Sequence, residues 1–146
     1  MYSTILMPVD GSDVSNHALE EGLSLAKALG SRVILVYIVD MTIAAMPEAE
    51  LGVANAEIMR RSFIEQGNNV IRAAEAAARA KGVPYESVIE EGDVHDGIVE
   101  TADKRGVELV VMGTHGRRGL NRLLLGSVAQ SVTKRAHCPV LLIRPG

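Results

Sequence analysis

The sequence predicts an α/β fold: an open parallel sheet of five strands wound in the order 3-2-1-4-5, with helices on both faces. Short apolar runs of strand length alternate with longer stretches in which apolar residues recur at three- and four-residue intervals, the pattern of successive βα units. One run, Val33 to Val39, is uninterruptedly apolar and rich in β-branched residues, as a strand buried on both faces requires. Five strands joined by right-handed crossovers can be wound in few ways, and the common one puts the first strand in the middle.

Ile5 to Val9 is the first strand. Asp10-Gly11-Ser12-Asp13 turns the chain, and Ser12 or Asp13 can cap a helix whose stripe is Ala18, Leu19, Gly22, Leu23, Ala26 and Leu29, with Gly30 as its stop. After the strand Val33 to Val39, the segment from Asp40 to about Pro47 reads as a loop. From about Ala49 to Lys81 the residues are mostly helix formers, but Gly52 and Gly67 weaken the case for one continuous rod, so the firmer helix is expected from about Arg61 to Lys81. Gly82 and Pro84 lead into the strand Tyr85 to Glu90, whose mixed polarity suits a sheet edge. Asp93 can cap the next helix, with Ile98, Val99 and Ala102 turned inward and Gly106 at its end. Val107 to Met112 is the fourth strand, and a glycine- and arginine-rich loop runs from Gly113 to Gly126. Ser127-Val128-Ala129-Gln130 fits a capping box, in which Ser127 bonds the Gln130 backbone and the Gln130 side chain reaches back. Val128, Val132 and Ala136 form that helix's stripe, and Pro139 to Ile143 is the last strand.

A chain of 146 residues fits a single domain, residues 1–146. Hydrophobic residues at 47% and charged residues at 23% describe an ordinary globular protein. A formal charge of −3 lacks the basic surface that phosphate-backbone binding uses, so nucleic acid is not expected as a partner. The longest apolar runs are too short to span a bilayer and Met1 to Thr4 lacks the basic start of a signal peptide, so the expectation is a cytoplasmic protein without a membrane role. The single cysteine, Cys138, cannot form an internal disulfide and reads as a small apolar residue beside a strand.

The 3-2-1-4-5 winding reverses direction between strands one and four, so the loops after Val9 and after Met112 face each other across the crevice where such sheets bind ligands. In the second loop, glycines bracket Gly113-Thr114-His115-Gly116-Arg117-Arg118-Gly119 and Gly126-Ser127 opens a helix. Free N–H groups at that helix start, with the Ser127 hydroxyl, suit phosphate oxygens, and Arg117, Arg118 or Arg122 suits their charge. Asp10 suits the hydroxyls of a ribose. Neither a P-loop lysine nor the dinucleotide glycine spacing is present. His115 is open to two readings, contact with a phosphate or proton, and a loop imidazole bonded to backbone. His137 stands near a helix end, where it compensates the dipole. His17 and His95 have no neighbouring ligand pattern, and no structural metal is expected.

Met112-Gly113-Thr114-His115-Gly116, nine residues, then Gly126-Ser127-Val128 matches the G-x2-G-x9-G-[S/T] pattern of the ATP-binding universal stress proteins, and the chain resembles that family from end to end. Ile5 to Ser12 resembles the family's opening strand and Cys138 to Ile143 its closing one. The resemblance implies an adenine nucleotide alpha hydrolase-like fold. It also implies an adenine and ribose pocket lined by Pro8, Val9, Asp10 and Ile38, with Met112 and Gly113 beside them, and phosphates held by Gly116, Gly126, Ser127 and Val128. His115 and Arg117 fall in the same loop and are included among the candidate binding residues. The implied ligand is ATP, or ADP or AMP in its place, with Mg²⁺ as an accompanying ion. Similar proteins pair through the last strand, so a homodimer through residues 139–144 is expected, beside a protein partner that the sequence does not name.

No Ser-His-Asp set and no paired carboxylates occur in these loops, so no catalytic residue is assigned and the expected role is that of a nucleotide-responsive regulator in stress response. One alternative is a slow ATP hydrolase in which Asp10 or His115 positions water. The other is a dimeric interaction protein that binds no nucleotide.

Overall fold

The computed structural model describes residues 1–41, 52–115 and 124–146. Its strands are β1 (Thr4–Pro8), β2 (Arg32–Asp40), β3 (Tyr85–Gly92), β4 (Leu109–Gly113) and β5 (Val140–Ile143), and its helices α1 (Asp13–Leu29), α2 (Val53–Lys81), α3 (Val94–Arg105) and α4 (Ser127–Arg135). The strands form one parallel sheet in the order β3-β2-β1-β4-β5, as the sequence predicts. Ile5 of β1 lies opposite Val33 on one side and Leu109 on the other.

The period of two in the strands divides the core into two layers. Ile5, Met7, Val33 and Leu35 face one layer with Leu19 and Leu23 of α1 and Ile71 and Ala74 of α2. Leu6, Ile34, Val36 and Val110 face the other, with Ile98 and Ala102 of α3 and Val132 of α4. Leu6 is fully buried at the centre of the sheet, where truncation to alanine costs about 2–5 kcal/mol.

The helix ends follow local chemistry. Ser12 caps α1 by accepting from the Ser15 N–H, and Gly30 closes it at φ +68°, a conformation that favours glycine. Asp93 caps α3 by accepting from the Asp96 N–H at 2.9 Å. Beyond α3 the Val107 N–H bonds the Ala102 carbonyl at 3.2 Å, so Val107 belongs to the helix closure and β4 starts later than the sequence suggests.

Three further expectations are corrected. Helix α2 starts at Val53, ahead of the Arg61 expected for the firmer helix, and it stays unbroken through Gly67, which serves packing between layers: a Cβ there would lie 2.7 Å from Cδ1 and Cε1 of Tyr37 on β2. The capping box at Ser127 does not form. Gly126 is the cap residue, Ser127 is the first helical residue, and among the described residues no side chain caps α4, while the Gln130 amide bonds the Leu125 carbonyl at 2.7 Å. The buried stripe of α4 is Ala129 and Val132, with Val128 and Ala136 only partly covered. The expected loop from Asp40 to Pro47 and the helix entry near Ala49 lie mostly outside the described residues. Among the described residues no helix is long and apolar enough to cross a membrane.

Candidate functional site

A cavity of about 490 Å³ opens at the carboxyl ends of the strands, where the winding reverses between β1 and β4. That volume lies within the usual range for small-molecule sites, roughly 300–1,000 Å³. Pro8, Val9 and Asp10 at the end of β1, Ile38 at the end of β2, and Met112 and Gly113 of β4 line it. His115 and the α4 start, Gly126, Ser127 and Val128, line it as well, so ten of the sequence-derived residues meet around one space. Gly116 and Arg117 lie outside the described residues, as do Arg118, Gly119 and Arg122.

The α4 end of the cavity is built to present backbone donors. The first helical N–H groups have no intrahelical acceptors, and among the described residues no side chain takes their place. The ends of α1 and α3, by contrast, are closed by Ser12 and Asp93. The first ladder bond of α4 is Gln130 N–H to the Gly126 carbonyl at 3.0 Å, which leaves the N–H groups of Ser127, Val128 and Ala129 beside the cavity. The exposed Ser127 hydroxyl adds a further polar group at this rim.

The neck below that end is strapped across. The Gly126 N–H donates to the Thr114 carbonyl at 2.8 Å, and a Cβ on Gly126 would lie 2.9 Å from the same oxygen and 3.2 Å from the His115 Cα. Gly126 is therefore required by the approach of two backbone segments whether or not a ligand is present. His115 is 8% exposed, with Nε2 donating to the Leu124 carbonyl and Nδ1 paired with Thr114 Oγ1 at 2.9 Å. A carbonyl only accepts, so Nε2 carries a proton. The imidazole is bonded to backbone, as one of the two sequence readings has it, and it also walls the cavity, where the other reading would need it.

At the β1 end, Asp10 Oδ1 accepts from the Ser12 N–H at 2.8 Å, which sets the carboxylate at the start of α1. The opposite end of the cavity draws on residues that the sequence reading did not assign: Phe63 and Gln66 of α2, Val94 and His95 of α3, and Asp40 and Asp93. The positions of Val94 and His95 carry a legible signal, since they directly follow a cap at the carboxyl end of a strand. Phe63 and Gln66 are brought in only by tertiary packing of α2. Gly97 presses α3 onto the cavity floor, as a Cβ there would lie 2.8 Å from Ile38 Cδ1 and 3.1 Å from Cγ1 and Cγ2.

The remaining candidates resolve into structural roles. His137 Nδ1 pairs with Asp103 Oδ1 at 2.7 Å and Nε2 with the Val107 carbonyl at 3.0 Å, so the ring ties the β5 approach to α3. Burial pushes the Cys138 thiol up from its ordinary value, with the Asp103 charge adding to it, in keeping with an inert packing residue. Among the described residues no group of three metal-ligating side chains occurs.

Comparison with known proteins agrees with the fold. The model of the universal stress protein family matches residues 1–144. Universal stress protein MJ0531 of Methanocaldococcus jannaschii is 38% identical over 144 residues, which cover 99% of this chain and 83% of that protein. The solved structure of the hypothetical protein MJ0577, from the same organism, is 27% identical and superposes with a TM-score of 0.87, covering 100% of this chain and 98% of the other. A universal stress protein solved in complex with cAMP is 27% identical with a TM-score of 0.71, covering 99% of this chain and 98% of that one. With a matched family model spanning nearly the whole sequence and the same five-stranded order, this chain belongs to the universal stress protein family.

Proposed function

We propose that the cavity binds an adenine nucleotide, ATP or in its place ADP or AMP, and that the chain acts in the cytoplasm as a nucleotide-responsive regulator. The observation that carries this reading is the α4 amino end, uncapped by any side chain among the described residues and beside the cavity, while the ends of α1 and α3 are capped. Such an end favours an anion, and phosphate is the anion that its N–H groups suit. The helix dipole contributes only about 0.3–1 kcal/mol at an exposed site, against about 8 kcal/mol for micromolar binding. Base and sugar therefore supply most of the affinity, through the apolar Ile38, Met112 and Phe63 and the Asp10 carboxylate. The relative solved with cAMP supports an adenine base.

Gly116 and Arg117 extend the phosphate contacts on the family resemblance. Mg²⁺ fits as an ion carried in by the phosphates and its own waters, since such ions are commonly held with few protein ligands. Ligand contact with the segment from Gly113 to Gly126 alters the surface there, and a protein partner reads the change. Titration calorimetry of nucleotide-stripped protein with ATP, AMP and adenosine tests the placement. Affinity should fall as phosphates are removed, and equal affinity for adenosine and ATP would refute a phosphate site at α4.

We further propose a two-fold homodimer through β5. The two sheet edges differ in chemistry: β3 carries Glu86, Glu90 and Glu91, with Glu86 paired to Arg32 and Glu91 to Arg60, whereas β5 is Val-Leu-Leu-Ile with Leu141 39% exposed. Charges protect an edge and apolar residues leave it open to pairing. A dimeric mass at micromolar concentration that becomes monomeric on Leu141→Asp is expected, and a monomeric native mass would contradict the pairing.

A further inference from the structure

We propose that Ser15 is a positioning residue for Asp10, and that the preference of the cavity for a hydroxyl-bearing sugar depends on its hydroxyl. The inference rests on the nucleotide reading above. The β1 ladder ends with the Val9 N–H on the Val36 carbonyl at 2.9 Å, so Asp10 is the first residue whose N–H has left the sheet. Ser15 Oγ accepts that N–H at 3.1 Å. The Ser15 N–H in turn donates to Ser12 Oγ at 3.1 Å, and the Ser12 N–H donates to Asp10 Oδ1 at 2.8 Å.

These bonds close a ring in which Asp10, Ser12 and Ser15 each donate to one member and accept from another. Gly11, at φ +83°, lets the backbone reverse inside it. The Asp10 peptide is held through Ser15 and the Asp10 carboxylate through Ser12, so both ends of the side chain's lever are fixed before a ligand arrives. Capping of α1 is already performed by Ser12, so the Ser15 hydroxyl is not needed for that task. Ser15 is 7% exposed and lies on the cavity wall. An alanine at position 15 opens the ring at one bond and takes away the acceptor of the Asp10 N–H, which loosens the hold on the peptide that carries the carboxylate.

Calorimetric titration with ATP and with 2′,3′-dideoxy-ATP, using the full chain, tests this. A hydrogen bond from a sugar hydroxyl to a carboxylate corresponds to a preference for ATP of roughly 10- to 100-fold in the native chain. Ser15→Ala should reduce that ratio to within about threefold while changing the affinity for the dideoxy analogue by less than about threefold. Ser15→Thr, which keeps the hydroxyl, should retain the ratio, and Ser15→Cys, a weak acceptor, should lower it if alanine prevents folding. A merely structural role for Ser15 would weaken both ligands alike and leave the ratio unchanged, which would overturn the proposal. A native chain that binds both ligands equally would overturn it too, with the nucleotide reading intact. A native chain that binds neither would overturn both.

Discussion

Replacing Gly97 by alanine adds one methyl group at the contact between α3 and the cavity floor. In an unconstrained helix this change stabilises by roughly 0.5–1 kcal/mol. Here the new Cβ meets Ile38 Cδ1 at 2.8 Å and its Cγ1 and Cγ2 at 3.1 Å. The Cδ1 contact is the tightest, and none of the three atoms moves away cheaply on a side chain whose χ1 is restricted by branching. Overpacking of this kind costs about 1–3 kcal/mol and outweighs the propensity gain, leaving a net loss of about 1 kcal/mol. For a chain of this size that lowers Tm by roughly 3–4 °C. Ile38 is a cavity residue only 8% exposed, so relief by moving it inward or by moving α3 outward changes the shape of the site, and affinity for ATP should fall about tenfold. Thermal melts and calorimetric titration of Gly97→Ala, Ile38→Val and the double variant measure both effects. Removing Cδ1 should recover part of the loss, as a coupling between the two sites. A Gly97→Ala protein that melts higher than native, binds ATP unchanged and shows no coupling to Ile38→Val would refute the close packing of α3 on Ile38.

Two further outcomes follow from local chemistry. Asp93→Ala removes the cap that accepts from the Asp96 N–H and should cost about 0.5–2 kcal/mol, read as a lowered urea midpoint with an unchanged slope. The Arg105 guanidinium, and after it Arg32, hold the Glu86 carboxyl below its ordinary range. A lowered folded-state value means stability that is present above the unfolded carboxyl range and lost as pH falls through the folded value. Stability measured from pH 6 down to pH 2 should therefore decline less steeply in Glu86→Gln than in the native chain, and identical acid limbs would count against the pairing. Because the carboxyl is partly exposed to solvent, the difference should shrink further in added salt.

The strand order was legible because each run and its crossover are local features, and right-handed winding leaves few arrangements for them. Ser12, Asp93, Gly30 and Gly106 were legible for the same reason: a cap is made by residues within one turn of it. Gly67 misled because its reason lies in another layer, at the ring of Tyr37, and a glycine in a helical stretch looks the same in sequence whether it breaks the helix or admits a neighbour. The Ser127 to Gln130 pattern misled through its surroundings. The Gly126 N–H is drawn to the Thr114 carbonyl to close the neck, the helix starts one residue earlier relative to its cap than the pattern suggests, and the amino end stays open. At the cavity, the residues next to strand ends were legible from the switch-point rule. The contribution of Phe63 and Gln66 was not, since it depends on how far α2 slides along β2.

That neck also bears on how the nucleotide claim is tested. Gly126→Ala would place a methyl 2.9 Å from the Thr114 oxygen and so perturb the fold with or without ligand, which makes Ser127→Ala and Asp10→Ala the better variants. The most direct measurement is the thermal melt of nucleotide-stripped protein titrated with ATP, with and without Mg²⁺, beside those two variants. At a hundredfold excess over Kd, linkage predicts about 2.7 kcal/mol of stabilisation, or roughly 5–10 °C. A saturable rise of that order in the native chain, weakened in both variants, is the expected result. A melt unmoved by millimolar ATP in folded, stripped protein would contradict the account.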